Sequence, residues 1–180
     1  MSVLVAALFI GLFTTMSGAA HAESAQDAIE SDSSIGWVPP IPGEPLATPY
    51  GKEGPWWTWK GYHTGDDYEA ATGTTINAAG SGTVTSAGWL GSAYGNGVVI
   101  AHGKGVETFY AHMSTVRAEQ GDKVTMGDPI GEVGATGNVT GPHLHFEMRR
   151  HGEPFRPFEA THGGPRGASA DLGCSANVLA

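Results

Sequence analysis

The stretch "TGNVTGPHLHFEMRR", Thr136 to Arg150, decides the fold class. It opens with Gly137, Asn138, Gly141 and Pro142, residue types that reverse a chain. It then alternates as a strand does. Successive strand side chains point to opposite faces. His143 and His145 therefore share one face, and Leu144 and Phe146 turn the other way into a core. The two imidazoles start about 7 Å apart, because a strand rises roughly 3.3 Å per residue. One can hold a metal ion while the other stands beside it, within reach of a metal-bound water. Spacing alone leaves open which does which.

The flanking segments read the same way. "TTINAAGSGTVTSAGWL" carries β-branched residues broken by Gly80, Gly82 and Gly88, and "GNGVVIAHG" is a buried-strand run. "VETFYAHMS" alternates, with Val106, Thr108, Tyr110 and His112 on one face and Glu107, Phe109, Ala111 and Met113 on the other. "DKVTMGDPIGEVG" gives two short strands around Gly127-Asp128-Pro129, and Gly152 turns the chain after the His143 strand. Many short strands separated by turn residues predict a mostly β, antiparallel sheet or sandwich domain. Twenty-eight glycines in 180 residues favour the same class over a helical bundle.

Composition narrows the function classes. The net charge is −9, with no cluster of Lys and Arg beyond Arg149-Arg150, which argues against nucleic acid and anionic membrane surfaces as partners. The lone cysteine, Cys174, can make no internal disulfide and reads as an inert thiol. Residues 1–22 read as a secretory signal peptide: the apolar run "VLVAALFIGLF" is too short for a comfortable span, and Ala20-His21-Ala22 is a small-x-small cleavage site. No Lys or Arg precedes that run, and an uncleaved anchor is the alternative. No later segment is apolar enough to span a bilayer, so the mature protein is expected outside the cytoplasmic membrane, secreted or in the cell wall or periplasm. Residues 23–48 are acidic and Ser-rich, then Pro-rich, and predict an extended linker or a strap lying on the domain. The folded domain is expected over 49–160 and a disordered tail over 161–180.

The remaining chemistry lies in "YHTGDDY", residues 62–68. In a continuous strand His63 and Asp67 would stand about 13 Å apart. A loop bent at Gly65 brings them together, with Asp66 as the competing carboxylate. Two imidazoles, one carboxylate and a fourth position left to water make a catalytic zinc set. A neutral histidine beside it can take the proton of the water, and a protonated one can stabilise an oxyanion or a leaving amine.

"HTGDD", "GTTINAAGSGTVTSAGW", "YGNGVVIAHG", "TFYAHMS", "GDKVTMGDPIGEVGATGNVTGPHLHFEMR" and "GEPFRP" occur in order. Over roughly residues 60–158 the chain closely resembles the lysostaphin/LytM-type zinc endopeptidases of bacterial peptidoglycan. The resemblance implies a small antiparallel β-domain with an open groove above the sheet, and one Zn²⁺ held by His63, Asp67 and His145. It implies His112 and His143 as the catalytic pair beside the nucleophilic metal-bound water, and the peptide of peptidoglycan stems or cross-bridges as substrate. His102 also matches a common position and reads as structural. The family often has an apolar residue where Asp66 stands. Trp56, Trp57 and Trp59 either pack over the domain edge or line a groove that binds sugar or peptide. The alternative function is an inactive peptidoglycan-binding regulator of another cell-wall hydrolase, which would be expected to lack some of the five site residues. The oligomeric state is not readable.

Overall fold

A computed structural model describes residues 36–157, apart from 56, 58 and 59, together with Thr161. The expected signal peptide, Cys174, Trp56, Trp59 and all of the expected tail but Thr161 lie outside the described residues. Eleven strands follow in order: β1 (Leu46–Thr48), β2 (Asp66–Glu69), β3 (Thr75–Asn77), β4 (Gly82–Trp89), β5 (Asn96–Gly103), β6 (Val106–Ala111), β7 (Thr115–Val116), β8 (Lys123–Val124), β9 (Pro129–Glu132), β10 (His143–Arg150) and β11 (Glu153–Phe155). Every pairing is antiparallel. The large sheet runs β1-β2-β10-β6-β5-β4-β8, with β11 also on β10, and a small sheet runs β3-β9-β7. This is the mostly β, antiparallel class that the strand pattern predicts. Among the described residues no helix is long and apolar enough to cross a membrane.

Alternation supplies one core. Leu144, Phe146 and Met148 of β10, Tyr110 of β6, Val98 and Ile100 of β5 and Tyr68 of β2 are fully buried. They cluster with Ile76 and Ile130 of the small sheet and with Met113 and Val133 beside it. Each large side chain removed from water contributes roughly 1.5–3 kcal/mol. The register sets Phe146 opposite Tyr110, and their rings lie 5.2 Å apart.

Two hairpins turn on two residues each. Lys104 and Gly105 join β5 to β6, and His151 and Gly152 join β10 to β11, all four with positive φ. That backbone matches the twist of paired strands.

The described part of the Pro-rich segment lies against the domain. Val38 N–H donates to Ala79 O and Asn77 N–H to Pro40 O, both at 2.9 Å, and Ile41 enters the core. Leu46–Thr48 pairs with β2, so the sheet includes residues upstream of residue 49.

Candidate metal centre

The face of β10 opposite the core carries His143, His145, Glu147 and Arg149, one residue in two. β2 lies beside it, with His145 opposite Asp67 and Phe146 opposite Asp66. Strand period sends the two carboxylates to opposite faces. Asp66 is fully buried, its Oδ1 accepting the Tyr50 N–H at 2.8 Å, while Asp67 faces His145. His63 precedes the strand, and the chain returns across β10 at Gly65. A Cβ there would lie 2.4 Å from Phe146 O and 2.8 Å from Glu147 Cγ, so only glycine fits the crossing.

Three atoms converge as a result. His63 Nε2 is 3.1 Å from Asp67 Oδ1 and 3.0 Å from His145 Nδ1, and His145 Nδ1 is 2.8 Å from Asp67 Oδ1. A tetrahedral zinc with ligands at about 2.0–2.1 Å sets those ligands roughly 3.3–3.4 Å apart. The triangle is close to one face of that tetrahedron. Two imidazole nitrogens and a carboxylate oxygen also suit zinc in ligand type. His63, Asp67 and His145 can therefore hold a metal ion.

His112 and His143 stand beside the triangle. Their rings are 4.7 Å apart, His143 Nε2 is 3.9 Å from Asp67 Oδ1, and the His112 ring is 5.8 Å from that of His145. Each imidazole is tied at one nitrogen. His63 Nδ1–H donates to Pro49 O, His112 Nδ1–H to Thr136 O, His143 Nδ1–H to Gly141 O, and His145 Nε2–H to Glu147 Oε1, at 2.9–3.2 Å. These bonds fix the ring orientations, and His63 Nε2, His145 Nδ1 and His143 Nε2 lie 2.8–3.9 Å from Asp67 Oδ1.

His112 reaches it by a route the alternation does not predict. The strand pattern sets it with Tyr110, on the core face. The chain leaves β6 at Ala111, and His112 has φ of +64°. That left-handed residue breaks the alternation and swings the ring to the face of His145. Its backbone is held on both sides: His112 N–H donates to Tyr94 O at 2.8 Å, and Thr136 N–H to His112 O at 3.4 Å. Thr136 Oγ1 accepts from Asn96 N–H and donates to Met113 O, each at 2.9 Å.

The electrostatics differ from ring to ring. Burial, the His145 charge and His143 push the His112 pKa down to about 4 against the opposing Thr136 bond and Asp67, so the ring is neutral near pH 7. Burial also opposes charge on His145, but the Asp67 and Glu147 carboxylates outweigh it and raise its pKa. Burial likewise works against charge on Asp67, and the bonds to His145 and His63 reverse it, holding the carboxyl well below its usual range.

The centre lies at the bottom of an open groove of about 510 Å³. Trp57, Tyr62 and Tyr94 line it together with Asn138, Val139 and Thr140 of the turn before β10. The Trp57 ring lies 5.2 Å from that of His63, which puts this member of the Trp cluster at the groove. Lys60 at the margin is paired with Glu153 at 2.8 Å. His102 is elsewhere, bonded to Ser81 O and Thr108 Oγ1, as its structural reading expects. Glu147, Thr136, Tyr94 and Thr64 were not anticipated. The spacing His143-x-His145-x-Glu147 did carry a signal for Glu147, because a period of two sets all three on one face.

Comparison with known proteins agrees with this geometry. Residues 61–157, more than half of the chain, match peptidase family M23. The chain is 46% identical over 114 residues to the DD-carboxypeptidase/endopeptidase Mpg of Neisseria meningitidis, covering 63% of this chain but only 26% of that protein. Among solved structures it superposes on the catalytic domain of lysostaphin from Staphylococcus simulans with a TM-score of 0.60 and 30% identity, covering 66% of this chain and 92% of that one. A zinc-containing peptidase from Vibrio cholerae gives a TM-score of 0.62 at 27% identity, over 67% of this chain and 39% of that one. A sheet of this order, three convergent ligand atoms and a sequence match across both place the chain in peptidase family M23.

Proposed function

We propose that this chain is a zinc-dependent endopeptidase that hydrolyses peptide bonds of peptidoglycan, outside the cytoplasmic membrane. The observation that carries the reading is the triangle of His63, Asp67 and His145 with two further imidazoles beside it, at the bottom of an open groove. His63, Asp67 and His145 would hold one zinc ion. When bound, zinc lowers the pKa of a coordinated water toward neutrality and polarises a carbonyl.

The chain's own residues do the rest. Hydrolysis moves one proton from the attacking water to the leaving amine. His112, kept neutral by burial, has Nε2 available to accept it, because Nδ1–H is committed to Thr136 O. Protonated, the same ring can return it to the amine. His143 stands 4.7 Å away, ring to ring, on the side where the oxyanion would be stabilised. Backbone carbonyls at Nδ1 of each ring keep both rings oriented before substrate arrives.

The relative named DD-carboxypeptidase/endopeptidase supports stem-peptide bonds over glycine bridges as the first substrates to test. An inactive regulator is disfavoured, since all five expected residues are present. Residues 1–22 would direct export as a cleaved signal peptide, 49–160 with its strap would be the catalytic domain, and 161–180 a tail.

The test is digestion of sacculi with direct cross-links and of sacculi with glycine bridges, followed by mass spectrometry of the released fragments. About one zinc per chain and chelator-sensitive cleavage of the stem cross-link are expected. Folded protein without zinc, or cleavage that survives His145→Ala, would overturn the reading. Amino-terminal sequencing of the exported protein tests cleavage before Glu23.

A further inference from the structure

We propose that Glu147 is the positioning residue of the metal centre: it holds His145 so that Nδ1 faces His63 and Asp67, and it fastens the His63 loop to β10. The inference rests on the zinc reading above.

Glu147 lies in the middle of β10 and is fully buried. Its Oε1 accepts from His145 Nε2–H at 2.9 Å, from Thr64 Oγ1 at 2.5 Å and from Tyr94 Oη at 3.2 Å. Its Oε2 accepts from Arg149 Nε at 2.6 Å and Nη2 at 2.5 Å. Arg149 in turn donates to Tyr94 Oη at 2.9 Å and lies 3.9 Å over the Phe109 ring. One carboxylate thus joins three of the segments around the centre: the His63 loop through Thr64, the β4–β5 loop through Tyr94, and β10 itself.

A buried ion pair is weak evidence for stability, because desolvation offsets the attraction. Fixing a direction is a use that apolar packing cannot supply. With Nε2–H committed to Glu147, the lone pair of His145 remains at Nδ1, on the side of the triangle. A carboxylate behind a ligating histidine is the usual device for that purpose, and its loss lowers metal affinity about 10- to 100-fold. Gln at 147 has the same shape but one acceptor oxygen, and its amide N–H groups would face donors on His145 or Arg149.

The experiment is a zinc titration against a chromophoric chelator, run on the wild-type protein and on Glu147→Gln, Arg149→Met and His63→Ala, with the Tm of each zinc-free protein. Wild type should bind zinc and His63→Ala should not. Glu147→Gln should bind about 10- to 100-fold more weakly. Arg149→Met breaks the same ion pair and should lower Tm, yet it should change zinc affinity little. Wild-type affinity in Glu147→Gln overturns the proposal, and so does an equal loss of affinity in Arg149→Met, which would mark a structural ion pair. If Glu147→Gln does not fold, the imidazole ¹⁵N signals of the zinc-loaded wild type decide. Nε2 protonated and Nδ1 metal-bound on His145 supports the proposal, and the reverse overturns it. Failure of the wild type to bind zinc would instead overturn the metal reading, and this proposal with it.

Discussion

Two histidines of the large sheet are hydrogen-bonded at both nitrogens, in opposite electrostatic settings. His102 donates Nδ1–H to Ser81 O at 2.8 Å and accepts at Nε2 from Thr108 Oγ1 at 2.8 Å. The Thr108 hydroxyl meets Tyr110 Oη at 3.1 Å, which accepts from Ala79 N–H at 2.8 Å, and Trp37 packs edge-on at 4.8 Å. Every partner there is neutral. His145 is flanked by two carboxylates, and a third atom, His63 Nε2, approaches the same Nδ1. The difference teaches that the number of hydrogen bonds alone does not distinguish a histidine built into the sheet from one that can hold a metal ion. Charge and convergence do. Burial lowers the pKa of His102, with the Ser81 carbonyl opposing, whereas the carboxylates raise that of His145.

The largest test of that contrast is removal of one ring from each network. His63→Ala should abolish zinc binding and hydrolysis together, while His102→Ala keeps one zinc per chain by metal analysis. A His102 variant that loses zinc would break the comparison. Next comes His112→Ala, which should keep zinc and lose about 10²- to 10⁴-fold in kcat. If its zinc departs as well, His112 belongs with the ligands rather than beside them. His102→Ala itself should cost about 1–3 kcal/mol in urea unfolding, because it leaves the Thr108 hydroxyl and the Ser81 carbonyl without that partner.

The smallest expected effect concerns acid. The folded pKa of His102 lies below its ordinary value, so the unfolded chain takes the proton first. The stability it contributes is complete above about pH 6.5 and is lost as pH falls below that value. His112 adds to the loss with the same sign, down to its folded value of about 4. Tm measured from pH 7 to pH 5 should fall more steeply in the wild type than in His102→Gln. Equal slopes would show that His102 titrates alike in both states.

Strand period made much of this legible in the sequence. Alternation in "HLHFE" set Leu144 and Phe146 in the core and both histidines outside, and a bend at Gly65 was required for His63 and Asp67 to meet. Three features were not legible. The strand β2 was hidden because "DDYE" begins with two acids, and only its neighbours show that Asp66 is buried by a backbone bond to Tyr50. The role of Thr136 depends on contacts with residues 40 positions earlier, which no local pattern encodes. The face of His112 was misread because period two holds only while φ stays extended.

That left-handed residue has a consequence beyond geometry. A non-glycine side chain at φ of +64° carries a conformational cost that glycine avoids. The protein retains a less stable backbone at this position in exchange for an imidazole at the groove. His112→Gly should therefore relax the local backbone while silencing turnover. In chains of this fold that have abandoned hydrolysis, selection would no longer oppose the drift of this position to glycine or asparagine.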